Sequence, residues 1–233
     1  MGSSRLPGKV LLDIAGTPML ARVVDRAGRG RSVDRVIVAT TTRPQDDPLA
    51  DYARDLAVDV FRGDEDDVLD RYYQAANQYH LDVIVRITAD CPLLDPGVLD
   101  RVVEVVLDSG GLVDFCSNTL ERRFPRGLDV EVATRATLDR LWRMVSAPHY
   151  RAHVFPYVYE HRDQFVTRCV TDAVDRSAMR WTVDTEEDLR FVREVYRQLG
   201  PEPGSWLDVV ALLERQPELL RINEGVRQKT AHE

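Results

Sequence analysis

The sequence predicts an α/β fold, a mostly parallel sheet covered by helices on both faces. Two observations carry this. Short runs rich in β-branched apolar residues, at 35–40, 58–61 and 83–87, alternate with amphipathic stretches of helical period at 18–29, 48–56, 68–79 and 96–108. The 233 residues are 44% apolar and 30% charged, which suits one globular domain with a sizeable core.

Each element has its own signal. The first helix puts Leu20, Val23, Val24 and Ala27 on one face, with Pro18 in its first turn. The helix at 68–79 carries an apolar stripe of Val68, Leu69, Tyr72, Tyr73 and Ala76. The runs at 35–40 and 83–87 read as buried strands. Beyond about residue 110 the alternation loosens. Strands are expected at 114–117, 128–133, 166–170 and 181–183, and helices at 135–146, 150–160, 186–199 and 206–215. A regular nucleotide-binding part would span about 1–110, and an acceptor or dimer part with closing helices about 111–222. In such sheets ligands bind beyond the carboxyl ends of the strands, which points to the loops at 40–47, 62–67 and 88–95.

Composition excludes several classes. A net charge of -8 argues against nonspecific nucleic-acid or anionic-membrane binding. No apolar run has the length of a membrane span, so no membrane insertion is expected. Cys91, Cys116 and Cys169 are far apart and match no zinc or Cys-x-x-Cys pattern. Free thiols in a reduced cytoplasm are the expectation. Nearly all cations are arginine, with lysine only at Lys9 and Lys229.

Five groups of residues could carry chemistry. Gly2, Ser3, Ser4 and Gly8 allow tight turns with N–H groups turned to an anion, and Arg5 and Lys9 add two cations. This suits a triphosphate; a floppy Gly/Ser terminus is the other reading. Asp90 follows the strand at 83–87 and is placed to hold a hard cation, whereas Asp95 before Pro96 reads as a helix cap. Asp184 precedes a capping box of Thr185 and Asp188, which leaves it to reach a metal. Asp129 and Glu131 alternate with Leu128, Val130 and Val132, giving either a sugar-binding face or a solvated one. His149, Arg151 and His153 could meet a substrate carboxylate or phosphate. The acids at 64–67 with Asp70 read as solvated caps.

At these residues the chain resembles the cytidylyltransferase family that contains the CMP-sugar-acid synthetases. The closest branch is the one named after the spore coat polysaccharide biosynthesis protein SpsF. The segments are MGSSRLPGKVL at 1–11, VIVATT at 36–41, VFRGDEDDVLDRYYQAA at 60–76, VIVRITADCPLLDP at 83–96, FPRGLDVEV at 124–132, RWTVDTEEDL at 180–189 and RINEGVRQK at 221–229. The resemblance implies a single Rossmann-like domain. It also implies Mg²⁺-dependent transfer of a nucleoside monophosphate, usually from CTP, to a sugar or sugar acid in surface polysaccharide synthesis. Arg5 and Lys9 would hold the triphosphate, and Arg86 and the backbone near Thr40 would contact the nucleotide. Asp90 and Asp184 would bind the metal. Asp129, Glu131, His149, Arg151 and His153 would lie toward the acceptor. A homodimer contact or acceptor lid is expected within 120–165. Guanylyl or uridylyl transfer to a sugar 1-phosphate, or silent binding of a sugar nucleotide, are the competing functions. Members of the family carry a short apolar strand before the opening loop. That first strand is absent from this sequence, and the expectation is a native start upstream of Met1.

Overall fold

The computed structural model describes residues 1–3 and 5–228. A 3-10 turn over Lys9–Leu11 leads into a hairpin of β1 (Asp13–Ile14) and β2 (Thr17–Pro18). Ala15 and Gly16 close it, both at positive φ as a tight two-residue turn requires. Then follow α1 (Met19–Gly28), β3 (Ile37–Thr41), α2 (Asp47–Asp55), β4 (Asp59–Gly63), α3 (Val68–Gln78), β5 (Val83–Arg86) and α4 (Pro96–Leu107). The second half holds β6 (Phe115–Ser117), β7 (Glu131–Thr134), α5 (Arg135–Met144), α6 (Pro148–Arg151), α7 (Pro156–Glu160), β8 (Thr167–Cys169), α8 (Glu186–Leu199) and α9 (Trp206–Arg215).

The fold is α/β, but its sheet is more mixed than the sequence suggests. β3 and β4 form a parallel pair. A separate four-stranded sheet has the order β5-β7-β6-β8. In it β7 runs antiparallel to both β5 and β6, and only β6 and β8 pair in parallel. The strand alternation divides each strand between two cores. Val132 and Cys116 enter a large core with Trp181, Phe124 and Tyr196, whereas Ala133, Phe115 and Ile84 face a second one with Leu138, Phe155 and Val158. A strand buried on both faces needs no fixed direction to satisfy its side chains, so apolar pattern alone could not reveal that β7 is antiparallel.

Three further expectations are corrected. The helix at 150–160 is two short ones, because Pro156 lacks the N–H a continuous helix needs and instead starts α7. Residues 181–183 form no strand, and only an isolated bridge joins Arg126 to Arg180. Residues 128–130 stay off the ladder, although Leu128 and Val130 are buried as alternation requires.

The strands expected to be most buried are not. Ile37, Val38 and Ala39 are half-buried, and so are Val83 and Val85. Ile37, Ala39, Val83 and Val85 line a cavity of about 510 Å³ between β3 and β5, together with Tyr72 and Ile87. Among the described residues neither facing edge has a strand partner. The caps expected at Asp95, at Thr185 and among the acids at 64–67 are present, and two further ones occur at Thr134 and Ser205. Asp67, Asp95, Thr134, Thr185 and Ser205 each accept a backbone N–H at an N-terminus. Cys91 and Cys116 are buried, Cys169 is half-buried, and all are free thiols. No described helix is long and apolar enough to cross a membrane.

An unpaired edge opens more readily than a strand bonded on both sides. Backbone amides of β5 that face the cavity should therefore exchange with deuterium faster than those of β7. Equal protection of the two strands would show that the cavity is closed in solution.

Candidate active site

Three chain segments meet at one ammonium. Gly8, in the left-handed region at φ 68°, turns the opening loop into the 3-10 turn that presents Lys9. Asp90 follows β5 in a tight turn, where Cys91 N–H donates to the Thr88 carbonyl at 3.3 Å. Asp184 lies just before α8. The two acidic segments are tied by backbone, with Val183 N–H donating to the Asp90 carbonyl at 2.9 Å and Thr182 Oγ1 at 3.2 Å. Lys9 Nζ then donates to Asp90 Oδ2 at 2.8 Å, to Asp184 Oδ1 at 2.8 Å and to the Val183 carbonyl at 2.7 Å. All three N–H donors of the ammonium are thereby used.

The other carboxylate oxygens have different partners. Thr88 Oγ1 donates to Asp90 Oδ1 at 2.5 Å. Arg180 Nη2 donates to Asp184 Oδ2 at 2.7 Å, and Arg5 Nη2 lies 3.0 Å from the same oxygen. Burial alone would raise the Asp184 carboxyl, but Lys9, Arg180 and Arg5 outweigh it and hold it below its ordinary value. Burial would lower the Lys9 ammonium, yet Asp90 and Asp184 raise it above its ordinary value, so Lys9 stays charged. Arg180 also grips the fully buried Asp188, whose carboxylate caps α8.

Toward β7 the site has a second group of ion pairs. Arg86 and Glu131 are register partners on β5 and β7 and form a salt bridge. Arg122 holds Asp129 with both guanidinium nitrogens, at 2.6 and 2.7 Å. Burial, then the Arg86 charge, lowers the His153 ring. Tyr159 donates to Ser117 Oγ at 3.1 Å, and burial pushes its phenol up. Arg126, half-buried near Arg122, Asp129 and Asp184, has no carboxylate partner among the described residues.

The structure thus gathers Arg5, Lys9, Asp90 and Asp184 in one cluster, with Arg86, Asp129, Glu131 and His153 around the second group of ion pairs. Other candidates are engaged elsewhere. Gly2 is exposed, Ser3 Oγ accepts the Leu6 N–H at 3.3 Å, and Ser4 lies outside the described residues. The Thr40 hydroxyl is buried against Asp46 at 2.8 Å, which leaves only its backbone for a ligand. His149, Arg151 and His153 do not form one cluster. His149 is exposed and packs on Tyr150, while Arg151 binds Asp67 at 2.7 Å and the Val145 carbonyl at the end of α5. Sequence reading missed Arg180, Arg122, Arg126 and Thr88. Only the spacing of Arg180 four residues before Asp184 offered a signal.

Asp90 and Asp184 with the Val183 carbonyl are hard oxygen donors that already surround one cation. They fit a divalent ion of the Mg²⁺ kind, which takes one or two carboxylates and completes its shell with water and phosphate. No cluster of three or more His, Cys, Asp or Glu exists among the described residues that would hold a metal without such help.

Two outcomes test this geometry. A Cβ on Gly127, at φ 110°, would lie 2.7 Å from the Thr182 N–H nitrogen. Gly127→Ala should cost on the order of 1–3 kcal/mol of strain, read by thermal unfolding. The Asp184 carboxyl, held below its ordinary 3.8, contributes stability present above that pH and lost as the pH falls through its folded value. Asp184→Asn should therefore flatten the acid limb of a stability–pH curve below about pH 4; an unchanged limb would exclude the ion pairs as its source.

The family model described as cytidylyltransferase matches residues 1–205. An uncharacterised protein of Methanocaldococcus jannaschii is 34% identical over 234 residues, covering 100% of this chain and 94% of that one. The spore coat polysaccharide biosynthesis protein SpsF of Bacillus subtilis is 30% identical over 228 residues, covering 94% of this chain and 92% of SpsF. A 3-deoxy-manno-octulosonate cytidylyltransferase of Anaeromyxobacter dehalogenans is 34% identical over 155 residues, 65% of this chain and 62% of the relative. Among solved structures, a cytidylyltransferase from Leptospira borgpetersenii superposes with a TM-score of 0.92 at 33% identity, covering 99% of this chain and 95% of that one. A CMP:2-keto-3-deoxy-manno-octonic acid synthetase complexed with CTP shares the fold, with a TM-score of 0.64 at 20% identity over 84% of this chain and 95% of that one.

Proposed function

This chain belongs to the cytidylyltransferase family and is a nucleotidyltransferase; from that premise we propose that it transfers CMP from CTP to a sugar acid, in the making of a surface polysaccharide. The observation that carries the proposal is the pairing of Asp90 with Asp184 around the ammonium of Lys9, with Arg5 of the same opening loop on Asp184. Relatives named as SpsF and as sugar-acid cytidylyltransferases support the substrate class.

In this reading an acceptor oxygen attacks the α-phosphorus, and the bond from that phosphorus to the bridging oxygen of the leaving pyrophosphate breaks. Asp90 and Asp184 would hold Mg²⁺, which supplies charge neutralisation at the phosphates. Arg5 and Lys9 bind the outgoing pyrophosphate. Arg86 and the Thr40 backbone border the nucleotide. On the acceptor side, Arg126 is the cation without a carboxylate of its own, so it is placed to receive the acid group of the sugar. Arg122 and Asp129 lie near it as a fixed pair that reads hydroxyls. The protein's contribution is positioning and preorganised charge.

Pyrophosphate release should require CTP, Mg²⁺ and a sugar-acid acceptor, and should fall roughly 10²-fold or more in Lys9→Ala and Asp90→Asn, as expected for lost preorganised charge. Arg126→Gln should raise the KM for the acid more than it lowers kcat. Release with another nucleoside triphosphate, or with the 1-phosphate of an uncharged sugar in place of the acid, would replace this assignment.

A further inference from the structure

The ammonium of Lys9 stands where the cation would stand. Its three acceptors, Asp90 Oδ2, Asp184 Oδ1 and the Val183 carbonyl, are the hard oxygens that the proposed function gives to Mg²⁺. The two occupancies exclude each other, because an ammonium and a divalent ion cannot share one point between two carboxylates. They also exclude the role of Lys9 on a phosphate, since its donors are already used.

The partners of the remaining oxygens show how an exchange would run. Asp90 Oδ1 is held by Thr88 and Asp184 Oδ2 by Arg180 and Arg5. Lys9 holds only the opposite oxygen of each carboxylate. If its side chain leaves, both carboxylates keep their orientation and expose one oxygen each to the same point. The side chain can move by rotating its own bonds, without shifting the backbone that Gly8 positions.

We propose that Lys9 is a built-in placeholder for the divalent cation. In the ligand-free protein it keeps Asp90 and Asp184 together and blocks the metal; when metal and triphosphate arrive, it moves from the carboxylates to the phosphate. This rests on the reading of Asp90 and Asp184 as cation-binding residues. It assigns one lysine to two successive partners and makes metal binding weak until nucleotide is present.

The test needs no turnover. Mn²⁺ binding to the nucleotide-free full chain is measured by electron paramagnetic resonance of the free ion. Lys9→Met, which keeps the apolar stem and removes the charge, should bind Mn²⁺ at least tenfold more tightly than wild type. Equal or weaker binding would overturn the placeholder. A second measurement uses the unaltered protein. Lysine occurs only at 9 and 229, so an NMR spectrum of the protein labelled with ¹⁵N at the lysine Nζ alone holds two ammonium signals. The Lys9 signal should be slowly exchanging in the empty protein and should shift on saturation with Mg²⁺, while that of Lys229 stays put. A Lys9 signal indifferent to Mg²⁺ would refute the exchange even if Lys9→Met fails to fold. Failure of the CTP assay alone would leave both results standing, so the two readings fall separately.

Discussion

The site depends on one ammonium held by three oxygens. Lys9, Asp90 and Asp184 come from segments far apart in the chain, and the contacts of Lys9 at 2.7–2.8 Å are what draw the opening loop onto the other two. The side chain of Lys9 is only 12% exposed, so desolvation opposes its charge, and the pairing has to outweigh that. A lysine suits this place better than an arginine. Its charge is compact and its donors diverge from one atom toward three acceptors, whereas a guanidinium spreads its donors in a plane. In a chain that otherwise uses arginine, the lysine at position 9 has a geometric reason.

The scaffold around that contact is rigid in a specific way. Arg180 connects Asp184 to Asp188, and Asp188 in turn closes the N-terminus of α8. The direction of Asp184 is therefore coupled to the capping of a helix. On the other side, Gly127 lets the 126–127 turn lie directly against the backbone at 181–182, where Trp181 N–H donates to the Arg126 carbonyl at 2.7 Å. The 126–127 turn and the segment that carries Asp184 are thus fixed to one another through backbone, not through flexible side chains.

Much of this was legible in the sequence, and the reasons differ by residue. Asp90 and Asp184 could be found because each follows a short apolar run and precedes a helix with its own cap, which frees the extra acid. Asp95, Thr185 and Asp188 were readable as caps because capping is a local rule. The antiparallel course of β7 was not readable, since a strand buried on both faces shows no polarity in its pattern. Nor was the break at Pro156 weighed against the apolar period that runs across it. Arg122 and Arg126 were invisible for another reason. Which carboxylate an arginine meets is decided by tertiary placement, and a chain rich in arginine offers too many candidates. The separation of His149 and Arg151 from His153 is the same lesson reversed, because neighbours in sequence were sent to different partners by α5 and α6.

An acidic protein that binds a polyanion poses an electrostatic problem, and the arrangement of pairs addresses it. Lys9, Arg5, Arg86, Arg122 and Arg180 are each neutralised by a carboxylate in the ligand-free molecule. For these five residues no unpaired charge is left in a half-buried crevice, where it would be costly. A phosphate or a carboxylate arriving at the site then takes over an existing partner, and the carboxylate released is free for a metal ion. Net attraction arises from exchange among pairs, so it does not require a basic surface. Arg126, half-buried and near Asp129 and Asp184, forms a salt bridge with neither among the described residues. An anionic group on the acceptor would give Arg126 the carboxylate partner that it lacks among the described residues.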